Sequence, residues 1–92
     1  MSKSALKEIC YSYYLNWKRM EEIRELSGGF SVYGSFNSER IRLHEELLDT
    51  SGLEREELSF LTNSMYEVKS KVDFYNKVLA KVLEKNKKQE KK

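Results

Sequence analysis

Any chemistry this sequence performs must start from very few groups, because its 92 residues contain one histidine and one cysteine. His44 stands beside Glu45 and Glu46, but neighbouring helical residues point about 100° apart, so neither carboxylate can orient the ring from its own element. An imidazole without an oriented partner is a poor general base, and His44 reads as a partly buried filler at a junction between helices. Cys10 falls within an apolar stripe, where a thiol packs as a small hydrophobe and burial raises its pKa. The two groups cannot furnish a tetrahedral zinc site from one chain. The Glu-x-x-His spacing of di-iron bundles is also missing, since Ile41 stands three residues before His44. The expectation is a protein with no metal, no cofactor and no catalytic residue.

Phosphate binding is the other chemistry to weigh. Gly28, Gly29 and Gly34 suggest a phosphate loop, yet no Gly-Lys-Ser/Thr follows them and no Lys or Arg lies between residues 25 and 39. Lys77, Lys81, Lys85, Lys88 and Lys92 step by 4, 4, 3 and 4, which on a helix makes one cationic row at the end favoured by the helix dipole. Residues 77–92 carry seven basic and two acidic side chains, whereas residues 1–50 carry seven and eight. The body is therefore mildly acidic and only the tail is basic. Lysines without arginine or interleaved aromatics bind phosphate as point charges, weakly and without sequence preference.

The elements that position these groups follow from composition and period. The chain is 35 % charged, 39 % hydrophobic and 12 % aromatic, with no proline and four glycines. That composition suits one soluble helical domain spanning residues 1–92, and leaves too few turn residues for a sandwich or barrel. No run approaches the length of a membrane span. No apolar run follows Met1-Ser2-Lys3-Ser4, and the lone cysteine fits a reducing, cytoplasmic setting.

A first helix is predicted over about 4–26, with Leu6, Ile9, Cys10, Tyr13, Trp17 and Met20 on its core stripe, extended by Ile23. Tyr11 and Leu15 fall nearly opposite, with Leu26, and Tyr14 lies at the stripe's margin. Residues 27–38 hold three glycines and no charge, and read as a loop bearing Phe30, Tyr33 and Phe36. Two readings stand for it: an aromatic plug closing the core, or an adaptable contact loop. A short helix over about 38–50 should turn Ile41, His44, Leu47 and Leu48 inward. Ser51 and Glu54 have capping-box spacing.

The last segment carries the most regular pattern. Leu58, Leu61, Met65, Val68, Val72, Tyr75, Leu79 and Val82 step by 3 and 4 without error, the a/d seam of a coiled coil. Thr62-Asn63-Ser64 has poor helix propensity and Ser64 could form a box with Glu67, so a kink there is an option. The unbroken seam favours one long helix over about 53–87, with a basic, frayed tail over 85–92.

The expected fold is thus all-α: a small antiparallel helical hairpin or three-helix bundle with one long coiled-coil-like helix, dimeric through the seam. The expected function is a non-enzymatic protein–protein interaction module: an adaptor, regulator or inhibitor of the sort that phages and other mobile elements encode. Its partner face is placed on Tyr11, Tyr14 and Leu15 together with Phe30, Tyr33 and Phe36. The alternative is a nucleic-acid-associated regulator resting the Lys77 to Lys92 row on phosphates.

Overall fold

A computed structural model describes residues 3–27 and 30–90, with side chains over 4–25 and 37–87. Among the described residues the chain is all-helical, with four α-helices and no strand: α1 (Lys3–Ser27), α2 (Phe30–Ser51), α3 (Arg55–Thr62) and α4 (Lys71–Glu90). A 3₁₀ turn, Met65–Glu67, lies between α3 and α4.

α1 forms because 25 residues without Gly or Pro carry a continuous apolar stripe. Leu6, Ile9, Cys10, Tyr13 and Met20 are buried, and Trp17 packs against them. α2 runs back along α1: Ala5, Ile9 and Ser12 share a shallow groove with Thr50, Glu46 and Arg42. α4 also runs against α1, since Tyr13 meets Phe74 and Tyr11 meets Tyr75, and the 3₁₀ turn before it touches α1 where Tyr66 meets Trp17.

Three expectations are corrected here. The segment 27–38 is not an open loop: α2 begins at Phe30, so the predicted short helix of 38–50 is 22 residues long. Gly34 and four serines weigh against helix, but a partner helix of similar length outweighs that weak propensity. The side chains of Phe30, Tyr33 and Phe36, and Gly28 and Gly29, lie outside the described residues. On α2 the core face is Leu43, Leu47 and Ser51, with Leu48 packed beside them, while Ile41 is exposed. The inward stripe is thus rotated toward Leu43, because α1 lies on that side.

The second correction concerns the turn after α2. Ser51 does not open a capping box with Glu54. It is the last residue of α2 and is buried, and its hydroxyl accepts the Leu53 N–H at 3.2 Å. Gly52, at φ +73°, sends its N–H back to the Leu48 carbonyl at 3.0 Å, closing the helix in a left-handed cap. The reciprocal box sits one turn on, where the Glu57 carboxylate accepts the Glu54 N–H at 2.8 Å. A β-carbon at Gly52 would meet nothing within 4 Å, so only backbone strain opposes one there. Gly52→Ala should cost about 1–2 kcal/mol, read as a fall in melting temperature of roughly 4–8 °C per kcal/mol in a chain of this size.

The third correction is the largest. The helix expected over 53–87 is broken at the optional kink: α3 ends at Thr62, Ser64 at φ −103°, ψ 25° leaves the α-helical region, and Val68 at φ −83°, ψ 125° is extended. An extended residue resets the phase of everything after it. Leu58, Met65 and Val68 are buried and Leu61 packs beside them, as the seam requires. Beyond the break Val72 is 46 % exposed, whereas Phe74 and Val78, both outside the seam, are 0 % exposed. Tyr75 and Leu79 are only partly buried, and Val82 is shared by both stripes. Ser64 makes no side-chain cap. The cap that matters is Ser70, whose hydroxyl accepts the Asp73 N–H at 3.1 Å, while the Asp73 carboxylate accepts the Lys69 N–H at 3.1 Å. α4 continues to Glu90, past the expected helix end at about 87.

Candidate interaction surface

The core assigns most apolar side chains, and those left over define the surface. Phe60 on α3 is 76 % exposed and Tyr66 in the 3₁₀ turn is 70 % exposed, followed by Leu83, Ile41, Leu15 and Val72. Phe60 and Tyr66 lie on either side of the break, so the least covered large side chains cluster in sequence where the chain bends. Tyr66 is held in a small polar setting: its ring meets Trp17 edge-on at 5.3 Å, its hydroxyl accepts from the Arg24 guanidinium at 2.7 Å, and it donates to Glu21 at 2.8 Å. Arg24 also bridges Glu21 at 2.5 Å.

The face predicted for a partner is differently occupied. Tyr14 is buried against the core and Trp17. Tyr11 lies edge-on to Tyr75 at 6.3 Å, with the Lys7 and Lys71 ammonium groups 5.7 and 4.9 Å from its ring centre. α4 therefore covers this part of α1, and of the three residues only Leu15 is open to solvent. Phe60 and Tyr66 were not placed on the partner face because one long helix was assumed, although the poor helix propensity of Thr62-Asn63-Ser64 marks where α3 ends. Ser70-x-x-Asp73 marks where α4 begins.

The lysine row is also divided. The Lys85 ammonium donates to the Gly52 carbonyl at 2.9 Å and lies 3.4 and 3.3 Å from the Glu54 and Glu57 carboxylates. It thus ties α4 to the end of α2 and the start of α3. The Glu57 carboxyl is held below its ordinary pKa, first by the Glu54 N–H and also by Lys85. Lys77 is exposed and Lys81 partly buried, while the side chains of Lys88 and Lys92 lie outside the described residues.

Cys10 is fully buried, and desolvation pushes its pKa up to about 12, so the thiolate is inaccessible at neutral pH. No cluster of three potential metal ligands occurs among the described residues. His44 lies 6.1 Å from the Tyr13 ring. Burial, with the Arg40 guanidinium adding to it, lowers its pKa below 6.5. The unfolded chain then takes up a proton near pH 6.5 that the folded chain refuses until lower pH, so the contribution of His44 to stability is constant above that value and falls as the pH drops below it. The Glu39, Glu45 and Glu57 carboxyls, lowered from 4.5, add their losses only further down. In urea titrations, His44→Asn should remove the fall that begins near pH 6.5 and leave the loss below about pH 4.5 intact.

No helix among the described residues is long and apolar enough to cross a membrane. The chain has no significant match to a protein-family model, to a curated protein or to a solved structure.

Proposed function

We propose that the chain is a non-enzymatic helical interaction module, an adaptor, regulator or inhibitor that acts in the cytoplasm by binding a partner protein, and that it also forms a homodimer. The observation that carries this reading is the exposure of Phe60 and Tyr66, 76 % and 70 %, six residues apart beside the bend. Single exposed apolar residues are ordinary, but large aromatic side chains concentrated on one short segment are the usual anchors of protein interfaces. The fold does not need Phe60, since α3 is already held by Leu58.

Capture from an extract of the source cell tests the reading, with wild type and Phe60→Ser/Leu83→Ser as baits. Wild type should retain a partner protein that the variant loses at an unchanged melting temperature. Equal retention by both would refute it. Binding of duplex DNA or RNA that falls steeply with salt would favour the lysine row instead. Against that alternative, Lys85 is already spent within the chain.

A further inference from the structure

We infer that two copies of this chain exchange α4, each straightening residues 62–70 so that α3 and α4 become one helix that docks on the other copy. The inference rests on the homodimer proposed above and supplies its mode.

Nothing covalent forces the bend. Residues 53–92 contain neither Gly nor Pro. Asn63 is already in the right-handed helical region, at φ −70°, ψ −17°, while Ser64, at φ −103°, ψ 25°, and Val68, at φ −83°, ψ 125°, depart from it chiefly through ψ. In a continuous helix Leu58, Leu61, Met65 and Val68 share one stripe, and all four already pack in the core. α3 stays on its own copy through Leu58 and Leu61, which the change at 62–67 leaves in place.

α4 cannot stay where it is. In the straight helix Phe74, Val78 and Val82 centre about 120° away from the Leu58 to Val68 stripe, so they no longer face their own α1. The surface shaped to receive them is the α1 face around Tyr13, and the second copy offers the same one. Phe60 and Tyr66 then lie about 60° to either side of Asn63, opposite the Leu58 stripe. Two straightened segments crossing on that side cover both, giving a closed two-fold dimer.

The bend is held by few bonds, all at exposed positions: the Ser70 and Asp73 caps and the Tyr66 contacts with Arg24 and Glu21. Two variants push the balance in opposite directions. Lys71 is the first residue of α4, an exposed position where Pro fits a helix start and holds the residue before it extended; inside a continuous helix the same Pro removes a hydrogen bond and clashes. Ser70→Ala/Asp73→Ala removes the caps, which only the bent form uses.

Sedimentation equilibrium and thermal melts of wild type, Lys71→Pro and Ser70→Ala/Asp73→Ala test the exchange. Lys71→Pro should keep its helix content, melt only a few degrees lower through loss of the Lys71 contact with the Tyr11 ring, and lose the dimer, while the cap variant should dimerise about tenfold more tightly or better. A dimer undiminished in a folded Lys71→Pro, or untightened in the cap variant, overturns the exchange and leaves self-association by another face standing. Wild type and cap variant both monomeric up to millimolar concentration would overturn exchange and homodimer together.

Discussion

Phe74→Ala should lower stability by about 3–5 kcal/mol, whereas Val72→Ala should stay within about 0.5 kcal/mol of wild type. Phe74 is wholly buried and stacks on Tyr13 with ring centres 5.6 Å apart and planes 23° from parallel. Removing it leaves a cavity between α1 and α4 that a packed core only partly closes. Val72 is nearly half exposed and its truncation leaves none. Urea denaturation of the two variants reads the difference. A continuous seam through Val72 predicts the reverse ranking, so the pair measures the phase of α4 directly.

Leu58→Ala should cost about 2–5 kcal/mol while Phe60→Ala costs under about 0.5 kcal/mol. α3 has eight residues, too few to be helical alone in water, so its existence depends on what it buries. Leu58 is its one fully buried side chain. Its loss should also raise amide hydrogen exchange over residues 55–62 before the rest of the molecule opens, since short elements with few buried contacts open locally. Phe60, two residues away and mostly exposed, should leave both the melting temperature and the exchange pattern unchanged.

Much of the helical class was legible in the sequence, and so was the core face of α1, because 25 residues with neither Gly nor Pro leave the 3.6-residue period undisturbed. Two features were obscured, each for a definite reason. Glycine and serine density concealed the first turns of α2, where pairing of neighbouring helices outweighs propensity. The perfect 3-4 spacing from Leu58 to Val82 concealed the bend, because periodicity records which residues would share a face if the helix continued and is blind to a cap that stops it. Ser70 and Asp73 compete with that seam, and in the folded chain they and the burial of Phe74 and Val78 win. The proposed interaction surface was the least legible part. Tyr11 and Tyr14 look open on a single helix, and only the position of α4 shows that they are covered.

The account stands most directly on Phe60 serving association while contributing nothing to the fold. Sedimentation equilibrium of wild type and Phe60→Ser, from micromolar to millimolar concentration, measures this in one comparison. The wild-type average mass should rise reversibly from monomer toward dimer, and Phe60→Ser should remain monomeric over the same range with an unchanged melting temperature. A wild type that stays strictly monomeric, or a Phe60→Ser variant that associates as readily, would contradict it.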